Sequence, residues 1–305
     1  MHTILGAGGV TAHELVKELR KNNLPYTLVS RNPKPVAGER WLAADLTDAE
    51  QVNEAVKGSS IVYLLAGTKY DIKVWREFWP KVMRITIEAC KRANAKLIFF
   101  DNVYAYGLVK GPMMESTPYN PSSKKGEVRA KIATELMEET KRGNLQAIIA
   151  CAADFYGPRY EKSFFNMMVM ERLAKHKSAQ WMVNAGALHS FTYTSDLGTA
   201  LLLLANNPSS YNQIWHLPTA SPVLTGKRLI EIAASAFNTK AKSIVLPKFM
   251  VSMAGIFDHN IKEAVEMLYQ SKYDYIFDSS KFEKAFRVKA TSYEDGLREA
   301  ATSYK

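Results

Sequence analysis

Short apolar segments alternate with longer amphipathic segments from the first residues of the chain onwards. Segments 2–6, 27–30 and 61–66 have the length and the apolar content of strands. Residues 10–22 and 74–94 instead carry apolar side chains at helical spacing. Apolar strands separated by helices are typical of a parallel sheet that is covered on both faces. The sequence therefore predicts an α/β protein with a Rossmann-type, doubly wound parallel sheet.

The alternation continues through strand-like segments at 96–100 and 145–150 and weakens after Cys151. The second half contains short strand-like and helical segments, which predict a smaller C-terminal α/β lobe. Some of these segments are expected to return to the main sheet. We therefore predict a dinucleotide-binding Rossmann domain at residues 1–155 and a mainly substrate-binding lobe at residues 156–305.

A glycine-rich turn, GAGGVTA at 6–12, joins the first strand to the first helix. Gly6 allows a tight exit from the strand, and Gly8 and Gly9 let backbone N–H groups approach a ligand closely. The small Ala12 lets the helix pack against the sheet. The start of that helix then faces a pyrophosphate. Because a strand precedes the turn and a helix follows it, the turn predicts a dinucleotide site.

The end of the second strand indicates which dinucleotide binds. Arg31 stands where an NAD-selective site usually has a carboxylate, and it suits a 2′-phosphate and the adenine ring. Ser30 offers a hydrogen bond and Lys34 adds positive potential. We therefore predict NADP(H) in preference to NAD(H). Asp45 fits either the adenine amino group or the start of the next helix, and Leu46 fits one side of the adenine ring.

Charge and composition indicate which kinds of ligand or partner this chain binds. The net charge of +10 is dispersed rather than gathered in a basic run with interleaved aromatics, so a small anionic ligand is favoured over nucleic acid. No apolar segment approaches the roughly 18 residues of a membrane span, and the first residues do not resemble an export signal. The cysteine and histidine spacings predict no metal site. We therefore predict a cytoplasmic protein with a small-molecule substrate and no nucleic acid, membrane or metal.

Several stretches, in their order and spacing, resemble the extended short-chain dehydrogenase/reductase superfamily and its NAD-dependent epimerase/dehydratase group. They are GAGGVTA (6–12), ADL (44–46), LLAG (64–67), DNVYAYG (101–107), DFYGPR (154–159), SFTYTSDLGTAL (190–201) and SYEDGLREA (292–300). The resemblance covers nearly the whole chain. It implies that Val10, Ala66 and Gly67 also contact the cofactor, and that the protein forms a homodimer. It places Cys151 near the nicotinamide, unless that residue is a buried inert thiol.

The resemblance implies a catalytic Ser and a Tyr-x-x-x-Lys helix, and this chain departs from both. Aligning Tyr106 with the Tyr-Gly pair of the family puts Asn102 at the Ser position. Glu127 and Lys131 then occupy the Tyr and Lys positions. Lys131 is expected to hold the nicotinamide ribose, Asn102 to polarise the substrate oxygen and Glu127 to manage the proton. Two other proton groups stay open, a displaced phenol from Tyr104 or Tyr106 and a water molecule. Glu127 and Lys131 could also form a simple surface ion pair.

The substrate side has four candidates. Tyr104 follows the fifth strand, and Phe155 and Tyr156 occupy the turn that borders nicotinamide and substrate in the resembling proteins. Packing is an equal alternative for Phe155 and Tyr156. The resemblance places His189 near substrate phosphates, and its alternative is a surface turn.

Taken together, the residues and the resemblance predict an NADP(H)-dependent atypical oxidoreductase of carbonyl-reductase type. The missing Tyr and Ser keep a second hypothesis open, a non-catalytic NADP(H) redox sensor or regulatory protein. A nucleotide-sugar epimerase fits less well, because epimerisation removes and returns a hydroxyl proton.

Overall fold

The structure, a computed structural model, describes residues 1–33, 36–158 and 163–304. The strands, in chain order, are β1 (His2–Leu5), β2 (Tyr26–Ser30), β3 (Arg40–Ala43), β4 (Ile61–Leu64), β5 (Lys96–Asp101), β6 (Pro112–Met113), β7 (Ala147–Cys151), β8 (Asp154–Tyr156), β9 (Ala179–Met182), β10 (Leu188–His189), β11 (Phe191–Tyr193), β12 (Gln213–His216), β13 (Leu224–Thr225), β14 (Ser243–Leu246) and β15 (Ile276–Phe277). The helices are α1 (Val10–Lys21), α2 (Ala49–Val56), α3 (Ile72–Ala93), α4 (Lys124–Lys141), α5 (Glu171–Ala174), α6 (Asp196–Asn206), α7 (Gly226–Ala236), α8 (Lys248–Phe257), α9 (His259–Ala264), α10 (Tyr269–Lys272), α11 (Ser280–Phe286) and α12 (Tyr293–Thr302).

The chain forms two compact units. The first unit comprises Met1–Ala105, Lys125–Cys151 and Leu197–Trp215, and the second comprises Tyr106–Lys124, Ala152–Asp196 and His216–Lys305. The sequence-based domain limits, 1–155 and 156–305, stay a prediction.

The first unit is organised around a seven-stranded sheet with the order β12-β7-β5-β4-β1-β2-β3. The pairings from β3 through β7 are all parallel. Strands β1 and β7 are buried along their whole length, as expected for a sheet covered on both faces. The predicted fold class, a Rossmann-type parallel sheet, is confirmed.

Helix α3 shows how the sequence fixes the helices of this unit. The side chain of Asp71 accepts a hydrogen bond from the backbone of Lys73 and caps the start of the helix. The helix ends at Asn94, which adopts a left-handed conformation with φ 50°. Its buried face carries Trp75 and Trp79. Rings of this size contribute much of the buried apolar area in a core.

The second unit has short strand pairs and an aromatic core. Parallel pairs join β8 to β11, β9 to β14 and β6 to β15, and an antiparallel pair joins β10 to β13. Phe165, Trp181 and Phe191 are almost fully buried in its core. A Cβ on Gly226 would lie 2.3 Å from the Trp181 ring, so this position of α7 requires glycine. Among the described residues, no helix has both the length and the apolarity to cross a membrane.

Candidate functional site

Glycines in the turn after β1 have two different physical roles. Gly6 has φ +90°, and a Cβ at this position would lie 2.4 Å from the Cα of Ala66. Only glycine tolerates both this conformation and this backbone approach. Gly8 and Gly9 are exposed, and a Cβ on either would meet no atom within 4 Å. Gly6 therefore holds the turn against the end of β4, while Gly8 and Gly9 present their backbone to solvent.

Helix α1 begins directly after this turn and has no capping side chain. Its N-cap residue, Gly9, makes no side-chain hydrogen bond, and its first turn contains no acidic residue. The first N–H groups of a helix lack partners within the helix, and the helix dipole makes this end positive. The start of α1 at Val10 therefore suits a phosphate. Gly67, a further predicted contact, is exposed after β4.

The end of β2 and the segment after β3 carry the residues predicted to contact adenosine. Arg31 is exposed directly after β2. The carboxylate of Asp45 accepts 2.8 Å hydrogen bonds from the backbone N–H and the hydroxyl of Thr47. These bonds lower the pKa of Asp45, and the charge of Arg31 lowers this pKa further. The alternative that Asp45 begins α2 is wrong, because Asp48 is the N-cap of that helix.

Three neighbouring residues differ in how they fit the predicted cofactor contacts. Leu46 is buried, with 6% of its surface exposed, so it packs in the core. The Ser30 Oγ is buried without a hydrogen-bond partner in the described part of the chain. A bond from Ser30 to a 2′-phosphate therefore requires its side chain to rotate outward. Lys34 lies outside the described residues. Arg31 is exposed, and its contact with a 2′-phosphate stays a prediction.

Asn102 lies at the carboxyl end of β5 and organises the turn that follows. Its backbone N–H donates to Oδ1 of Asp101 at 2.8 Å. Its own Oδ1 accepts from the backbone N–H of Tyr104 at 3.0 Å. The amide oxygen is therefore engaged in the turn. The Nδ2 group makes no hydrogen bond within the described ranges and remains as a donor.

A buried ion pair lies next to Asn102. Nη1 of Arg129, on α4, lies 3.3 Å from Oδ1 of Asp101, and both side chains are almost fully buried. The guanidinium carbon lies 3.8 Å from the Trp79 ring centroid and 4.8 Å from that of Trp75. Burial raises the pKa of Asp101 to about 6, although the charge of Arg129 opposes the rise. The Phe99 ring centroid lies 5.7 Å from the same carbon, so three aromatic rings and one carboxylate surround this cation. Its Nε and Nη1 make no hydrogen bond to a described residue.

Lys125 forms a second cationic position on the same helix. It is fully buried, and its Nζ lies 4.5 Å from the ring centroid of Tyr70. The Tyr70 hydroxyl donates to the Tyr104 hydroxyl at 3.5 Å. Trp75 stacks on the Tyr104 ring with centroids 6.2 Å apart. We call Asn102, Tyr70, Tyr104 and Lys125 the polar cluster at the end of β5.

Glu127 and Lys131 lie on a different face of α4. Both are exposed, and neither makes a hydrogen bond or ion pair with any described residue. The predicted surface ion pair between them is therefore not formed. Lys125 and Arg129, four residues apart, lie on the buried face instead. The catalytic roles of Glu127 and Lys131 stay a prediction, and no contact in the structure supports them.

Cys151 ends β7 and pairs in the sheet register with Asp101. Its thiol forms no disulfide and is buried, with 2% of the residue exposed. Burial shields the thiol from reagents in solution. The geometry favours the alternative of an inert thiol.

His189 lies in the second unit and is buried rather than in a surface turn. Its Nε2 lies 3.0 Å from Oδ2 of Asp154. The ring stacks between Phe191 and Tyr275, each with a centroid distance of 4.5 Å. The surface-turn alternative is therefore wrong. The predicted contact of His189 with substrate phosphates would compete with the carboxylate of Asp154, which already pairs with Nε2.

Three aromatic candidates of the second unit also have defined environments. Tyr156 is buried against Tyr193, with ring centroids 5.2 Å apart, and burial raises its pKa well above the ordinary value. Packing therefore explains Tyr156. Phe155 is partly exposed, and its carbonyl accepts a hydrogen bond from Ser163. The hydroxyl of Tyr106 is buried, 2.8 Å from Nε2 of His216, which leaves Tyr104 as the better placed of the two candidate phenols.

Sequence reasoning missed Lys125, Arg129 and Tyr70. A signal for the first two was present, because Lys125, Arg129 and the apolar Ile132 share one face of α4. Charged residues in phase with apolar residues indicate buried, paired cations. Tyr70 carried no comparable signal, since it lies in a loop more than fifty residues before α4.

The strand order around β1 and the open glycine turn before α1 define a Rossmann-type α/β protein. The profile of the NAD dependent epimerase/dehydratase family matches residues 2–216, and the chain belongs to this family. A comparison with curated protein sequences gives no significant match.

Solved structures with the same fold share little sequence with this chain. UDP-glucose 4-epimerase from Thermus thermophilus, in complex with NAD, has a TM-score of 0.80 at 16% identity, with 100% of this chain and 99% of that chain covered. UDP-N-acetylglucosamine 4-epimerase from Bacillus cereus has a TM-score of 0.79 at 13% identity, covering 99% and 95%. The dTDP-glucose 4,6-dehydratase DesIV from Streptomyces venezuelae has 0.79 at 14%, covering 100% and 96%. At these identities the likeness concerns the fold.

Proposed function

We propose that this protein is an NADP(H)-dependent oxidoreductase that acts on a carbonyl group, or the corresponding hydroxyl, of a small molecule. The observation that carries the proposal is the polar cluster at the end of β5. Strand β5 is parallel, through β4, to β1, so the cluster and the glycine turn follow strand ends at one edge of the sheet. In open α/β sheets, this edge is where ligands bind.

The residues present fit a nicotinamide dinucleotide. Gly8, Gly9 and Val10 would hold the pyrophosphate with backbone N–H groups at the uncapped start of α1. Arg31 would hold a 2′-phosphate, which motivates NADP(H). Structural neighbours crystallised with NAD support the broader class of nicotinamide dinucleotide. When bound, the nicotinamide supplies or accepts the hydride.

The polar cluster would orient the substrate and manage its proton. The Nδ2 group of Asn102 donates a hydrogen bond to the substrate oxygen. The Tyr104 hydroxyl, already bonded to the Tyr70 hydroxyl, gives a proton to that oxygen during reduction and takes it back during oxidation. The ammonium of Lys125 stabilises the negative charge that remains on the phenol pair when the proton leaves. Glu127 and Lys131 are the competing set from the sequence alone.

A test follows NADPH oxidation over a panel of aldehydes and ketones. With a responsive compound, we expect Asn102→Ala and Tyr104→Phe each to lower kcat/KM about a hundredfold, the usual scale for one proton-transfer or oxyanion group. Glu127→Gln is the matched control and should change kcat/KM less than about twofold, because its side chain is exposed. Loss of turnover in Glu127→Gln, with Tyr104→Phe unaffected, would transfer the proton role to Glu127.

The second candidate function is a non-catalytic NADP(H) sensor. The chain has Asn102 and Glu127 where the resemblance places a catalytic Ser and Tyr, which favours this candidate. A sensor would bind NADPH and NADP⁺ with very different affinities and would oxidise NADPH with no member of the carbonyl panel.

A further inference from the structure

Helix α8 in the second unit has its apolar side chains on the outside. The exposed fractions are 65% for Phe249, 57% for Met253, 76% for Ile256 and 89% for Phe257. Positions 249, 253, 256 and 257 recur at helical spacing, so these side chains form one face. We call them the outer face of α8. A surface helix normally buries such a face, so its exposure marks an interaction site.

The opposite side of α8 is firmly packed. Val251 and Gly255, one turn apart, are buried. A Cβ on Gly255 would lie 3.0 Å from the Cα of Lys262, so this position lets α9 approach closely. The outer face is therefore the side of α8 that stays exposed when Val251 and Gly255 are buried. Rotation of α8 about its axis would break the close contact at Gly255.

The surroundings of the outer face are positively charged. Residues 239–257 contain Lys240, Lys242 and Lys248 and no acidic residue. The next residue, Asp258, is exposed, and its carboxylate caps the start of α9 by accepting hydrogen bonds from two backbone N–H groups. All three lysines are exposed, and none of their side chains makes a hydrogen bond or ion pair within the described ranges. Lys248 also lies close enough to Tyr273 to help lower the pKa of that phenol, after the larger effect of Lys272. Tyr273 is 45% exposed, as suits an aromatic ring at a boundary between water and an apolar phase.

We propose that the outer face of α8 docks this protein onto the surface of an anionic lipid bilayer. Apolar side chains on one helix face, flanked by lysines, are the features of helices that lie in a membrane interface. The apolar side chains would enter the acyl boundary, and the lysines would contact anionic headgroups. No helix among the described residues could cross a bilayer. Binding at the surface of a bilayer does not need such a helix. The proposal is independent of the reaction proposed above.

Charge decides between a bilayer and a second copy of the chain. A two-fold contact places the same patch on both partners. It would bring Lys240, Lys242 and Lys248 of one copy near those of the other, against the single neighbouring carboxylate of Asp258, which already caps α9. Like charges facing each other oppose such a contact. The protruding Ile256 and Phe257 suit insertion between lipid molecules, which need no preformed pocket.

The test is co-sedimentation of the full chain with two kinds of vesicle. One contains only phosphatidylcholine, and the other mixes it with phosphatidylglycerol. We expect binding to the mixed vesicles, weakening as salt is raised, and little binding to phosphatidylcholine alone. The double variant Ile256→Ser/Phe257→Ser should weaken binding more than about tenfold. The triple variant Lys240→Glu/Lys242→Glu/Lys248→Glu should abolish the preference for anionic vesicles.

The matched control is Met114→Ser, which also removes an exposed apolar side chain, 47% exposed, from the second unit. It should bind vesicles like the wild type. Thermal unfolding midpoints equal to that of the wild type would show that the variants are folded. Failure of the wild-type protein to sediment with mixed vesicles would overturn the proposal. So would a dimer, seen by sedimentation velocity, that Ile256→Ser/Phe257→Ser dissociates, because the face would then bind a second copy.

Discussion

The turn after β1 and the end of β5 follow strands of the same parallel sheet, but they are made of different groups. The turn presents backbone, because Gly8 and Gly9 have no side chain and α1 begins without a cap. The end of β5 presents side chains, which come from Asn102, Tyr70 and Lys125. A backbone site depends on local conformation, whereas a side-chain site depends on how distant segments pack. The two ends should therefore respond differently to substitution.

The largest effect on folding is expected at the end of β5. Arg129→Met leaves the buried carboxylate of Asp101 without its cation, so we expect the free energy of unfolding to fall by about 3–5 kcal/mol. Urea denaturation measures the change. The double variant Arg129→Met/Asp101→Asn removes the unpaired charge and should recover part of the loss. A loss below about 1 kcal/mol in the single variant would mean that the pair is not buried as described.

Two buried histidines, one in each unit, should make the free energy of unfolding depend on pH. Burial lowers the pKa of His2, in β1, and of His216, in the second unit, from 6.5 to about 4. The unfolded chain therefore binds more protons than the folded protein between these values. The stability present above pH 6.5 is lost as the pH falls from 6.5 towards 4, by up to about 3 kcal/mol for each histidine.

Urea unfolding at a series of pH values across this window measures the effect. His2→Gln and His216→Gln should each make the free energy of unfolding depend less steeply on pH. The exposed His13→Gln is the control and should leave the slope unchanged. An unchanged slope in His216→Gln would contradict the buried neutral ring between Tyr106 and the carbonyl of Asp278.

Substitutions at two glycines of the turn should have different effects, one on stability and the other on cofactor binding. Gly6→Ala forces a side chain into a left-handed conformation and against Ala66, so we expect a loss of about 2–3 kcal/mol in unfolding free energy. Gly8→Ala meets no neighbour and should change stability by less than about 0.5 kcal/mol. The same Gly8→Ala change should weaken NADPH binding, because the added methyl group stands where the backbone approaches the pyrophosphate. Equal stability losses in both variants would contradict their different roles.

The sequence predicted most of what depends on local pattern. The glycine turn, the parallel sheet and the long helices follow from local pattern, and the helix predicted at 74–94 is observed as Ile72–Ala93. Helix α4, Lys124–Lys141, carries the residues at the Tyr and Lys positions of the resemblance. The cations on the buried face of that helix were not predicted, because the alignment through Tyr106 assigned the functional positions to Glu127 and Lys131. Lys125 and Tyr70 meet only through tertiary packing. The homodimer stays a prediction.

The outer face of α8 was missed for a related reason. Phe249 and Phe257 recur at helical spacing, and such periodicity shows that a helix has an apolar face. It does not show which way that face points. Only the packing of Gly255 against α9 reveals that the apolar face is turned to the solvent.

The proposed NADP(H) site is tested most directly by calorimetric titration of nucleotide-stripped protein with NADPH, NADP⁺ and NADH, in the wild type and in Arg31→Asp. We expect tight binding of both NADP forms by the wild type and NADH binding at least about tenfold weaker, a difference of about 1.4 kcal/mol. In Arg31→Asp this preference for NADPH over NADH should disappear. An unchanged preference would contradict the role of Arg31. Absence of binding by all three nucleotides would contradict the dinucleotide site itself.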